Sequence, residues 1–205
     1  MDVTTFFSIL ILIFSVVIHE VSHGYAALSM GDTTAKNAGR LTLNPIPHIS
    51  LLGSIIIPLL FAILPGGILF GWAKPVPYNP YNLRNRRWGE VFVAVAGPLS
   101  NLFLALIFGL LIRFSEVLSL PSAFVEISII IVLINIVLAI FNLMPIPPLD
   151  GSKILFGLLP QNAFKIREVL ETYGFAILLF FIFFAYNLLL PVLSVLFTLF
   201  TGIRF

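Results

Sequence analysis

The run His19-Glu20-Val21-Ser22-His23 sets two imidazoles at positions i and i+4, with a carboxylate beside the first. On a helix these positions share a face, so both rings can approach one zinc ion while Glu20 stands close by as a general base. Five loosely specified residues recur by chance, and the pattern alone is a modest signal. Its setting is a stronger one, because the pentad lies inside an apolar stretch from Phe6 to about Met30. Ionisable side chains in a helix of membrane-crossing length are costly to bury, and they mark a functional site by default.

A hydrolytic zinc site usually has three protein ligands and one open position. His19 and His23 provide two, and the third has to be His, Asp or Glu. The sequence has one further histidine, His48. Asp2, Asp32, Glu90, Glu116, Glu126, Glu168 and Glu171 read as solvated or interfacial groups. Asp150 differs, because it closes the run Asn142-Leu-Met-Pro-Ile-Pro-Pro-Leu-Asp150-Gly151 directly after an apolar span. Its three prolines remove backbone donors and break the helix, which a membrane tolerates only where protein or a watered cavity covers the chain. Such a break can turn a carboxylate back toward the bundle interior. An ordinary Pro-rich loop ending in a turn fits the same residues, and on spacing alone both readings stand.

The elements that must position these groups follow from composition. The chain has 205 residues, 60% of them hydrophobic and 10% charged, with a mean hydropathy of +1.11. A soluble domain of that composition would need a largely apolar surface. The sequence therefore predicts an all-α polytopic membrane protein, a single integral-membrane domain over residues 1–205 with no separate soluble domain. The net charge of +2 and the pI near 9.1 bear on topology in the lipid bilayer, and no nucleic-acid partner is expected. Without cysteine, disulfides and thiolate metal sites are excluded. The N-terminus lacks a basic n-region and runs directly into the pentad, so it reads as a retained first span.

Four stretches are long enough to cross a hydrocarbon core of roughly 30 Å, which takes about 20 helical residues. They are Thr4 to Met30, Val91 to Ile112, Phe124 to Met144 and Tyr173 to Phe200, the last kinked at Pro191. A fifth, residues 51–73, is interrupted by Pro58 and Pro65-Gly66-Gly67 and reads as a re-entrant or broken segment. Gly39 to Pro45 reads as a short strand, a membrane-associated β element near residues 39–45. If 51–73 turns back, Lys36, Arg40, Lys74, Arg84, Arg86, Arg87, Lys153, Lys165 and Arg167 share one side, against Arg113 and Arg204 on the other. The positive-inside rule favours that arrangement, with the N-terminus outside and the loops cytoplasmic. The pentad agrees. His19 lies about 22 Å along its helix at ~1.5 Å per residue, so a partner ligand must come from the inner half. Asp150 does so only if 51–73 fails to cross.

His19-Glu20-x-x-His23, Ala96-Gly97-Pro98-x-x-Asn101 and Asn142-x-x-Pro145-x-x-Pro148-Leu149-Asp150-Gly151 together resemble the site-2 protease family of intramembrane zinc metalloproteases. Gly71-Trp72-Ala73-Lys74-Pro75-Val76-Pro77-Tyr78-Asn79-Pro80, with Leu43-Asn44-Pro45-x-x-His48-Ile49, is similar to its compact prokaryotic branch without a PDZ domain. The likeness runs from residue 18 to about 155. It implies one zinc ion held by His19, His23 and Asp150, with Glu20 as base and Asn142 holding the substrate peptide or the oxyanion. It also implies a membrane-protein substrate in a prokaryotic cell membrane. A substrate helix hides its carbonyls and must unwind locally, and strand addition near residues 40–44 is one way to hold the opened peptide. The chain departs from the branch at His48-Ile49-Ser50-Leu51-Leu52, where an acidic residue and Pro commonly follow the His-Ile pair.

Other residues have plainer readings. His48 fits a substrate-contacting or ligand-supporting role under the resemblance, and a structural loop histidine otherwise. Asn101 likewise fits a substrate-contacting or ligand-supporting role, with interhelical hydrogen bonding within a span as the plainer reading; Asn135 fits the latter, and Gly24 and Ala27 fit the close approach of a neighbouring helix. The sequence also admits a non-proteolytic zinc-binding scaffold or regulator, or a metal transporter. Transport, however, needs ligands at two or more depths.

Overall fold

The computed structural model describes residues 3–56, 73–160 and 163–204, and all regular structure among these is helical. Helix α1 (Val3–Ser29) is a long apolar run, stopped at Gly31, whose φ of 103° suits glycine. The single turn α2 (Thr34–Asn37) follows. Helix α3 (Arg86–Arg113) is capped by Asn85, whose side-chain oxygen accepts from Trp88 N at 3.0 Å. Helix α4 (Ser122–Asn142) ends before the proline run, and α5 (Asp150–Leu158) begins immediately after it. Helices α6 (Phe164–Phe180) and α7 (Leu190–Thr201) complete the chain. Four helical stretches are long and apolar enough to cross a membrane: Thr4–Ser29, Arg86–Arg113, Ser122–Asn142 and Phe164–Ala185. This is a multi-pass membrane protein.

Side-chain contacts order the bundle. His23 meets Val93 and Ser15 meets Asn101, so α1 and α3 run antiparallel. Ala105 and Ile112 of α3, Val132 and Ile136 of α4, and Leu193 and Phe197 of α7 form one buried apolar cluster. Gly109 admits α7 closely, since a Cβ there would lie 2.7 Å from the Phe200 Cβ. Many large apolar side chains, such as Phe103 and Leu99, face outward, as lipid contact requires.

The loops after α1, before α3 and after α4 gather at one end of this bundle. Arg84 N donates to Met30 O at 2.9 Å, and Arg87 Nε donates to Gly157 O at 2.6 Å. Lys74 N donates to His48 O at 2.8 Å, so the two flanks of the expected re-entrant segment lie side by side. A π-helical turn over Leu51–Ile56 begins that segment; residues 57–72 lie outside the described residues.

Four sequence expectations change. The β element near 39–45 is not present: these residues form bends and loop. Their backbone groups are used locally, Arg40 N on Ala35 O and Thr42 O by His48 Nε2 at 3.0 Å, so no ladder forms. The terminal span from Tyr173 to Phe200 is not one helix. It breaks through a π turn at Phe181–Ala185 and a 3-10 turn at Tyr186–Leu189, and Pro191 sits in the first turn of α7, where its missing N–H costs nothing. Gly24 faces Leu41 and Val76 of the end loops and Ala35 of the short α2 rather than a neighbouring long helix.

The fourth change is Asp32, which is fully buried rather than solvated. Its Oδ1 accepts from Thr34 N, Thr34 Oγ1 and Asn82 Nδ2 at 3.1, 2.5 and 2.9 Å, and its Oδ2 accepts from Asn79 N at 2.7 Å. It ties the turn after α1 to the loop before α3. Burial alone would raise its carboxyl, but hydrogen bonds from Thr34, Asn82 and Asn79 outweigh this and hold it below the usual carboxylate range. A depressed folded value means that the stabilisation is complete above the ordinary range and is lost as pH falls through it. Asp32→Ala should destabilise the protein by about 2–3 kcal/mol in detergent thermal unfolding at neutral pH. The deficit relative to wild type should shrink below about pH 4; a deficit independent of pH would contradict this role.

Candidate metal centre

Two elements, α1 and α5, build one cluster of acceptor atoms. Helix α1 presents His19 and His23 one turn apart, their rings edge-to-face with centroids 4.7 Å apart. The start of α5 presents Asp150. Its approach depends on Gly151, where a Cβ would run into the carbonyl oxygens of Leu143 and Met144. Without that Cβ, the proline-bearing turn folds back under α4 and delivers the carboxylate to α1. His19 Nε2 lies 3.1 Å from Asp150 Oδ2, His23 Nε2 lies 3.0 Å from the same oxygen, and the two Nε2 atoms are 3.1 Å apart. All three residues are buried. Lys153, one turn along α5, stands 3.6 Å from the other oxygen, Oδ1.

The opposite nitrogens show which way the rings face. His23 Nδ1 is 2.7 Å from Val93 O, a carbonyl that can only accept, so this nitrogen carries the proton. His19 Nδ1 is 2.6 Å from Asn101 Oδ1, which likewise accepts. Both Nε2 lone pairs then point at each other and at a carboxylate oxygen. With both rings neutral, three acceptors face one another, an arrangement that a cation among them would compensate. Their separations are close to the ~3.3 Å between two ligands of one tetrahedral zinc. Gly97 of α3 faces the same point, where a Cβ would fall 2.6 Å from His19 Nε2 and would also collide with His23 Nε2. The donor set and its clearance fit a zinc ion, and among the described residues this is the one group of three such side chains able to hold a metal.

Glu20 is partly buried beside this cluster. Its Oε2 accepts from Val76 N at 2.8 Å, and Oε1 has no partner among the described residues. Val76 belongs to the loop from Ala73 to Asn79, which Arg40 secures through Nη2 on Lys74 O at 2.8 Å and Pro75 O at 3.3 Å.

Of the residues singled out in the sequence, His19, His23, Asp150 and Asn101 come together, with Glu20 alongside. Asn142 does not join them by any hydrogen bond: its Nδ2 donates to Leu138 O at 2.9 Å, one turn back in α4. His48 lies outside the metal group, buried in the end loops with Nε2 on Thr42 O. Sequence reasoning missed Lys153, which the i,i+3 spacing from Asp150 would reveal once a helix is known to start there. It also missed the Val76 amide, for which no side-chain pattern gives a signal.

Residues 119–185 match peptidase family M50. The chain is 40% identical over 177 residues to "Putative zinc metalloprotease YwhC" of Bacillus subtilis, covering 83% of this chain and 77% of that protein. The chain belongs to peptidase family M50, the site-2 proteases. It is 32% identical over 166 residues to "Putative zinc metalloprotease Rip2" of Mycolicibacterium smegmatis, covering 80% of this chain and 61% of that protein. It is also 32% identical over 159 residues to "Putative zinc metalloprotease MJ0611" of Methanocaldococcus jannaschii, covering 73% and 72%. No solved structure matches it significantly. As a member of this family the protein is a zinc metalloprotease, and zinc is its expected cofactor.

The bare α-carbon at residue 97 gives a direct test. Gly97→Ala should leave the helices intact by circular dichroism yet push the two imidazoles off their positions. Zinc affinity, measured by chelator competition, should then fall by about tenfold or more.

Proposed function

We propose that this M50 peptidase hydrolyses peptide bonds in or near transmembrane segments of other membrane proteins. In this reading His19, His23 and Asp150 hold one zinc ion and Glu20 is the general base. The observation that carries it is the convergence of His19 Nε2, His23 Nε2 and Asp150 Oδ2, all within 3.1 Å of one another, beside the carboxylate of Glu20. When bound, zinc supplies a Lewis acid that makes water nucleophilic near neutral pH and polarises a carbonyl. The protein's own groups do the rest. Glu20, with Oε2 steadied by the Val76 amide, takes the proton of the attacking water on Oε1 and returns it to the departing amine. Asn142, with one amide hydrogen used on Leu138 O, has a second for the carbonyl of the opened peptide; one such donor contributes roughly 3 kcal/mol.

A substrate helix hides its carbonyls in its own hydrogen bonds, so it must unwind locally before its scissile bond reaches this cluster. The ligands lie between bundle helices, at the level where α1 meets the start of α5, which favours substrates that arrive within the bilayer. With residues 51–73 turning back, nine basic residues fall on the loop side, against Arg113 and Arg204 on the other. That partition supports an active site toward the cytoplasmic side of a prokaryotic cell membrane. All three ligands sit at one depth, which supports a fixed catalytic metal over one in transit.

Glu20→Gln should keep zinc at wild-type stoichiometry and lose cleavage of a membrane-protein substrate by about 10²–10⁴-fold in liposomes. Unchanged cleavage by that variant would overturn the mechanism. Asp150→Ala should lower bound zinc measured by mass spectrometry, and full retention would remove Asp150 from the ligand set.

A further inference from the structure

His23 and His19 are oriented in different ways. His23 Nδ1 donates directly to the main-chain carbonyl of Val93, an acceptor fixed by the backbone of α3. His19 Nδ1 faces a side-chain amide, that of Asn101, which presents either an acceptor or a donor according to how it is turned. Something must hold Asn101 with its oxygen toward the ring.

That hold is traceable atom by atom. In α4, Asn135 Nδ2 lies 2.9 Å from Ile131 O, a carbonyl that can only accept, so the amide nitrogen must face that way. Its second hydrogen goes to Ser15 Oγ of α1, also at 2.9 Å. Asn135 Oδ1 is thereby turned toward Asn101 and accepts from Asn101 Nδ2 at 2.8 Å. The main-chain Ser15 O, at 3.4 Å, is a longer second acceptor for the same nitrogen. Asn101 Oδ1 is left facing His19 Nδ1 and can only accept, so the proton of His19 sits on Nδ1 and the Nε2 lone pair points toward Asp150. Asn101 and Asn135 are each 0% exposed and Ser15 is 4% exposed, so water does not compete for these bonds. An interhelical polar bond in a membrane is commonly a packing contact, but this one ends on a ring whose other nitrogen faces the proposed metal.

We infer that Asn135, braced by Ser15 and Ile131 O, is a positioning residue that acts through Asn101 to select the His19 tautomer able to bind zinc. The inference rests on the metal-centre reading above. Without the Asn135 oxygen, Asn101 keeps only the longer bond to Ser15 O and can present its NH₂ group to the ring. That would move the His19 proton to Nε2 and block it as a ligand.

The test uses the full chain in detergent, with zinc affinity read by chelator competition. Asn135→Leu should weaken zinc binding by about 10–100-fold. In an Asn101→Asp background either carboxylate oxygen accepts from His19, so adding Asn135→Leu should cost nothing further. Wild-type affinity in Asn135→Leu, or the same loss in both backgrounds, overturns the inference and leaves a packing role. The wild-type protein provides a test that needs no variant. With only three histidines, ¹⁵N NMR of the zinc-free protein should report an Nδ1–H tautomer for His19, and an Nε2–H tautomer would overturn the relay. If wild type takes up no zinc, or His19→Ala binds it unimpaired, the metal-centre reading itself fails. Zinc binding that depends on His19 but not on Asn135 defeats the relay alone.

Discussion

One constraint governs much of the structure: His19 Nε2, His23 Nε2 and Asp150 Oδ2 are held within 3.1 Å of one another inside an apolar bundle. Much of the surrounding architecture serves that convergence. Gly97 clears the space, Gly151 lets the turn after α4 fold back, and Val93 O and Asn101 Oδ1 hold the two Nδ1 protons on the far side of the rings. Each of these features alone is an ordinary packing detail. Together they leave a concentration of lone pairs suited to a dipositive ion, in a family of zinc metalloproteases.

The proposed base depends on a second structure, the polar end of the bundle. Glu20 is steadied by the Val76 amide, and Val76 is held in place by the loops around it. Arg40 grips the carbonyls of Lys74 and Pro75, and His48 O accepts from Lys74 N. Asp32 draws Thr34, Asn79 and Asn82 together and so joins the turn after α1 to the approach to α3. Substitutions in these loops therefore reach the proposed chemistry without touching a metal ligand. The apolar cluster of α3, α4 and α7 plays a complementary part at the other end, fixing the helices on which Asn101 and Asn135 stand.

In this proposed peptidase, access and chemistry are assigned to different parts of the molecule. The outward-facing apolar side chains suit lateral arrival of a membrane segment, whereas the cluster of His19, His23 and Asp150 is buried between helices. A chain of buried side-chain bonds from Asn135 to His19 ties the bundle core to the proposed metal site, so packing between α1, α3 and α4 and the orientation of a proposed ligand are one problem.

Much of this was legible in the residues themselves. Composition and the lengths of apolar runs determined a multi-pass helical membrane protein. The i,i+4 histidines with Glu20 determined where chemistry could lie, because helical periodicity places them on one face whatever the tertiary fold. The proline run before Asp150 marked a break, but its direction was not encoded locally. Only the packing of Gly151 on the carbonyls of Leu143 and Met144 turned that carboxylate toward α1. The strand expected at 39–45 failed for a similar reason: β structure needs a partner ladder, and here loop contacts took the backbone groups first. Asp32 looked solvated because burial of an acid depends on donors far along the chain, at Asn79 and Asn82. The tautomer of His19 lay furthest from local sequence. It follows from a backbone carbonyl at Ile131, passed through two amides on two other helices, and a relay of hydrogen bonds between helices exists only once those helices are packed.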